Sequence, residues 1–197
     1  MWKIIINELR ISAVVLPGLA VLLCCIYPAL IWIVAQTVFP EQANGSMVKS
    51  SGRIVGSALI AQNFVSPAYF HPRPSSAGDG YDAANSGGSN LGPTSRKLVE
   101  TVAARINDYR SENKLDANTP LPADAVTASA SGLDPHISLQ NALLQASRVA
   151  ASRGISEDNL RKIVVAHTES RDLGILGEKR VNVLLLNLDL DKFKERN

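Results

Sequence analysis

The sequence predicts a single N-terminal transmembrane helix followed by one small α+β domain with a short sheet and about three helices. Three observations carry that expectation. An uncharged apolar stretch occupies one end, helix caps and stops punctuate the second half, and a leucine-rich run of two-residue period lies near the carboxyl end. The chain has 197 residues, 46% hydrophobic and 19% charged, against roughly 25% charged in average soluble chains. Such a length and composition exclude a large multidomain enzyme and a disordered chain. The formal net charge of +2 gives no electrostatic basis for a nucleic-acid partner. Cys24 and Cys25 are adjacent within the most apolar stretch, which excludes a disulfide-stapled scaffold.

Between Arg10 and Glu41 lie 30 residues without a charge. A helix crossing the hydrocarbon core needs about 20, and a cleavable signal peptide has an apolar run of only roughly 7–15. Pro17 and Pro28 would break a soluble helix, but neighbouring groups in a membrane can satisfy the freed carbonyls. Trp2 near one end, and Tyr27, Trp32 and Phe39 toward the other, suit the headgroup layers. The expected organisation is a flank over 1–10, a transmembrane helix over 11–36, a tether over 37–51 and an extracytoplasmic domain over 52–197. Basic residues are nearly balanced, Lys3 and Arg10 against Lys49 and Arg53. The short flank, with Arg10 abutting the apolar run, favours a cytoplasmic amino terminus.

Beyond the tether, Ile54, Val55, Leu59 and Ile60 around Gly56 suggest a strand, the glycine marking a bulge or a close backbone approach. Residues 66–94 are rich in Pro, Gly, Ser and Asn and predict a long irregular loop, packed through Tyr69, Phe70 and Tyr81. Thr94 or Ser95 can cap a first helix with Leu98, Val102, Ile106 and Tyr109 on one face. Ser138 can cap a second that stops at Gly154, and Ser156 a third whose first turn carries Glu157 and Asp158. Val181–Leu190 reads as a central strand, with Leu184, Leu186, Leu188 and Leu190 on one face. Lys192–Arg196 mixes signs and reads as a solvated end.

The chemistry-bearing motifs are few. The run from Gly87 and Gly88 through Ser89 and Asn90 to Gly92 has the glycine spacing of a phosphate-binding loop. It carries Pro93 where the lysine should reach the phosphates, so a glycine turn leading into a helix whose first turn admits proline explains it better. Ser129, Ser131, Asp134, His136 and Ser138 crowd together, yet a nucleophilic triad is defined by spatial geometry. Asp134-Pro135 favours a turn, and Ser138 is explained by capping. His71, His136 and His167 are widely separated, so no metal site has sequence support. Arg73, between Pro72 and Pro74, is held on a stiff segment that can present its guanidinium to a partner.

Taken in order, these motifs resemble the C subunit of the Kdp-type potassium-transporting ATPases over nearly the whole chain. The resemblance rests on the anchor, Gly56–Ile60 with Phe64, Tyr69–Ser75, Ser86–Thr94, Val126–Ser129, Ser131–Ser138, Arg148–Ala150, and Gly177-Glu178 with Arg180–Leu184. Ala61 and Ala130 stand where glycine is expected. The resemblance implies a non-catalytic accessory subunit in the cytoplasmic (inner) membrane. Its implied partners are a channel-like potassium-binding subunit, a P-type ATPase subunit and a small membrane peptide subunit. ATP is used by the complex, and the C subunit serves assembly and acts as a catalytic chaperone. The chain has no Asp-Lys-Thr-Gly-Thr phosphorylation motif, and no cofactor is assigned to it. Arg73, Ser86, Gly87, Gly88, Asn90, Asp134 and His136 are the candidate contact or functional-loop residues. Two alternatives are an anchored extracytoplasmic hydrolase using Asp134 and His136, and a direct nucleotide-binding module using the glycine segment.

Overall fold

The computed structural model describes residues 1–195. It divides into two compact units, Met1–Met47 and Val48–Asn197. In the first, α1 (Trp2–Val21), a π-helical turn (Leu22–Ile26) and α2 (Tyr27–Val38) form one uninterrupted helix of 37 residues. The ten-residue flank is therefore helical from Trp2. At 1.5 Å per residue the helix is about 55 Å long, against about 30 Å of hydrocarbon. None of its side chains is buried. The π turn ends two residues before Pro28, whose ring excludes the regular hydrogen bond to the preceding turn; a wider turn absorbs that break. The expected tether is more ordered than its composition suggests. It holds a short helix, α3 (Pro40–Ala43), and the strand β1 (Met47–Ser50).

The second unit carries two small sheets. β1 pairs with β2 (Arg53–Ser57) across Ser51-Gly52, both at positive φ as a tight hairpin turn requires. β2 ends before Leu59 and Ile60, which follow in a turn. Gly56 is a close approach: a β-carbon there would overlap the amide of Gln62, which donates to the Val55 carbonyl at 2.8 Å. The second sheet has the order β3-β5-β4, built from His136–Ser138, Arg180–Asn182 and Thr168–Glu169, all antiparallel. Its register sets His136 opposite Asn182, and Glu169 opposite Arg180.

The three expected helices are present as α4 (Arg96–Asn113), α5 (Leu139–Arg153) and α6 (Glu157–Ala166). Ser138 and Ser156 accept the capping N–H of Asn141 and Asn159, and α5 stops at left-handed Gly154. Ser95 occupies the N-cap position of α4, but its side chain makes no capping hydrogen bond.

The run 181–190 departs from expectation. The strand β5 is central, as predicted, but ends at Asn182, and Val183–Glu195 is a helix, α7. The buried positions in this helix are Val183, Leu184, Leu186, Asn187 and Leu190, a helical i, i+3, i+4, i+7 stripe with Leu184 beside it, whereas Leu185 faces out. The even-numbered leucines satisfied a two-residue period by coincidence. Asn182 starts the helix, its side-chain oxygen accepting the N–H of Leu185 at 3.1 Å. The mixed-sign end beyond Lys192 lies outside the described side chains. The core gathers Phe70, Ile137, Val149, Leu160, Val181 and Leu186 between the second sheet and α5, α6 and α7.

Candidate functional site

The stiff segment carrying Arg73 is fixed by side chains rather than by a ladder. The amide of Gln145 on α5 brackets His71, accepting from its N–H at 2.7 Å and donating to its carbonyl at 3.1 Å. Asn187 on α7 brackets Phe70 in the same way, both at 2.9 Å. Arg148 donates to the carbonyls of Pro67 and Tyr69, and Arg153 to that of Ala68. Buried backbone needs partners, and these four side chains supply them, so Phe70 reaches complete burial in an irregular loop.

Arg73 then begins a seam of alternating charge. Its Nη1 meets Asp134 Oδ2 at 3.0 Å. Asp134 Oδ1 accepts the backbone N–H of His136 at 3.0 Å, closing the Asp-Pro turn expected at this point, and lies 3.5 Å from His136 Nδ1. His136 Nε2 lies 3.7 Å from Glu169, which pairs with Arg180 at 2.9 Å; Arg180 reaches Asp172 at 3.5 Å. Burial works to raise the Asp134 carboxyl. Hydrogen bonds from the side chain and backbone of His136, and the Arg73 guanidinium, outweigh it and hold the group below its ordinary value. Both ring nitrogens of His136 face carboxylates. A general base needs a nucleophile's hydroxyl at about 2.6–3.2 Å, and among the described residues neither ring nitrogen of His136 has a hydroxyl partner.

Ser86, Gly87 and Gly88 lie against the loop preceding Asp134. Gly87 N–H and Ser86 Oγ both donate to the Ser131 carbonyl, at 2.9 and 3.0 Å. A β-carbon on Gly88 would sit 2.8 Å from the Ala130 carbonyl oxygen. One on Gly132, at φ +69°, would sit 2.6 Å from the Ala77 nitrogen. These glycines serve close contact between backbones, and the Gly87 N–H that a phosphate would use is already bonded. Pro93 lies outside α4, three residues before its first residue, so first-turn tolerance of proline does not explain it. Asn90 is exposed, at φ +52°, apart from the seam.

A cleft of about 340 Å³ opens beside the Arg73 segment, lined among others by Phe64, His71, Tyr81, Asp108 and Glu112. His71 Nδ1 faces Glu112 at 2.8 Å and Nε2 faces the Ser66 carbonyl at 3.0 Å. Burial pushes the imidazole below its ordinary value, aided by Arg148 and opposed by the Ser66 carbonyl and Glu112. Burial pushes the Tyr81 phenol up to about 12. Among the described residues no cluster of histidine, cysteine and carboxylate side chains could hold a metal ion.

The family described as "K+-transporting ATPase, c chain" matches residues 9–192. A potassium-transporting ATPase KdpC subunit of Mycobacterium bovis is 54% identical over 183 residues, covering 90% of this chain and 97% of the relative. Subunits of the same name from Koribacter versatilis and Myxococcus xanthus are each 53% identical, covering 87% and 98% of this chain and 87% and 89% of theirs. The chain belongs to the K+-transporting ATPase c-chain family.

Within this c chain, the seam unites Arg73, Asp134 and His136, with Ser86, Gly87 and Gly88 packed on the adjoining loop. Sequence reasoning missed Glu169, Arg180, Gln145 and Asn187. The first two are brought together by strand register. The amides are buried polar residues on apolar helix faces, at 1% exposure each. Their helical spacing from apolar neighbours was the available signal.

Proposed function

We propose that this c chain is a non-catalytic accessory subunit of an ATP-driven potassium uptake complex in the cytoplasmic membrane. Its amino terminus lies inside and its domain outside, as a cap near the potassium entrance of the channel-like subunit. The observation that carries the reading is the unbroken Trp2–Val38 helix, long enough to span and with no buried side chain of its own. Its apolar surface needs lipid or the membrane helices of partners, among them the P-type ATPase subunit and the small membrane peptide. Asp134 and His136 are engaged in the seam, which supports a structural role over hydrolysis. An outside domain cannot touch a cytoplasmic nucleotide. The chaperone effect on ATP use therefore runs through assembly of the complex. Protease added to sealed right-side-out vesicles should trim the domain and leave the anchor; full protection defeats the orientation and the cap.

Direct nucleotide binding has one observation in its favour, a cleft of about 360 Å³ beside the glycine segment, whose mixed lining sets Ser76, Lys97, Thr101 and Arg105 against Leu91 and Leu98. A ligand stabilises only the state it binds. An ATP-dependent rise in the melting temperature of the solubilised chain supports this reading; an unchanged temperature removes it.

A further inference from the structure

We propose that the turn at residues 171–177 is a docking finger. It is a preformed apolar knob that inserts into a neutral, apolar pocket on another protein subunit of the complex. This rests on the reading of the chain as a subunit. The turn leaves the second sheet between β4 and β5 and exposes three large apolar side chains, Leu173 at 88%, Ile175 at 76% and Leu176 at 56%.

Its backbone is closed on itself. Asp172 N–H donates to the Leu176 carbonyl and Leu176 N–H to that of Asp172, both at 2.9 Å, with Gly174 N–H to the Arg171 carbonyl at 3.0 Å. Leu173 sits at φ +54°, a left-handed conformation that a bulky side chain rarely adopts and that glycine would hold without strain. A turn selected only for closure has no use for leucine there. In this conformation the Leu173 side chain stands exposed, and residues held in such conformations cluster at active sites, ligand clamps and switch regions. A finger already ordered loses little freedom on docking.

The charges at its base distinguish a protein pocket from lipid. Arg171 pairs with Glu178 at 2.8 Å, and Arg180 with both Glu169 and Asp172. Among residues 171–180 only Lys179 has no ion-pair partner within the described residues. An anionic headgroup layer is read by clusters of four to eight Lys and Arg, and interfacial anchoring favours Trp and Tyr. The finger has neither, so its neutral apolar tip matches an apolar pocket with a polar rim.

A photoreactive side chain placed at position 175 of the full chain, expressed with its complex in intact membranes, tests the proposal. The expected result is an adduct with another protein subunit. In parallel, Leu173→Asp should lower the amount of partner subunits retained by the tagged chain at least tenfold, without lowering its melting temperature. Lys179→Ala should retain them. Adducts with lipid alone, with a second copy of this chain alone, or with nothing would overturn the finger, as would full retention by Leu173→Asp. A wild-type chain retaining no other subunit would defeat the subunit reading itself, and the finger with it.

Discussion

Residues 66–74 and residues 171–177 are both irregular, and they meet opposite fates. In the first, Phe70 is completely buried and the backbone on either side is held by Gln145, Arg148, Arg153 and Asn187. In the second, Leu173 stands almost fully in solvent while the turn satisfies its own N–H and carbonyl groups. The difference lies in where the polar backbone finds its partners. Irregular chain can enter a core only if side chains from packed helices take over the role of a strand ladder. A turn that closes on itself has no need of them and can stand clear of the body. The long loop is thus part of the fold, and the short turn is available for contact.

The largest effect should come from breaking the buried loop. Phe70→Ala removes a side chain with no exposed surface from the centre of the core, where Phe→Ala costs about 3–5 kcal/mol. Denaturant titration of the solubilised full chain should show a loss of that order. A loss below about 1 kcal/mol, within the range of surface substitutions and small adjustments, would mean that the loop rests on the surface and that the contrast with the finger is false.

Much of this architecture was legible because local signals and tertiary context agreed. Ser138 and Ser156 cap, Gly154 stops, and the uncharged run is helical as far as Val38. The carboxyl run misled because alternate leucines fit a strand until Asn182 caps a helix; the burial of Asn187 then fixes which face turns inward. The candidate site was half visible. Arg73, with its prolines, and Asp134, with its turn, announce themselves locally. Glu169 and Arg180 join them only through antiparallel register across β4 and β5. No local pattern could reveal that pairing, since its partners belong to segments separated by the finger.

The finger makes a smaller prediction of opposite sign. Leu173→Gly relieves the left-handed strain, which costs an L-residue roughly 1–2 kcal/mol, partly offset by the entropy glycine adds to the unfolded chain. The net expectation is a gain of up to about 1 kcal/mol, or about 2–4 °C in melting temperature for a chain of this size. Scanning calorimetry of the solubilised chain checks it. A clear fall in melting temperature would show that Leu173 packs against the body, and the two segments would no longer differ in kind.

The smallest effect concerns pH at the buried loop. His71 faces Glu112, the Ser66 carbonyl and, through charge, Arg148, with Asp108 lining the same cleft. Burial leads in holding its folded value below the ordinary 6.5. As pH falls past 6.5, the unfolded chain takes up a proton before the folded one does, so stability falls with acidification. The contribution is complete above the unfolded value and fades from there down toward the folded one. His71→Gln keeps a donor for the Ser66 carbonyl but removes the titration. Its melting temperature should therefore drop less between pH 8 and pH 5.5 than that of the wild type. Parallel drops would place the acid sensitivity elsewhere and leave His71 as a packing residue of the loop.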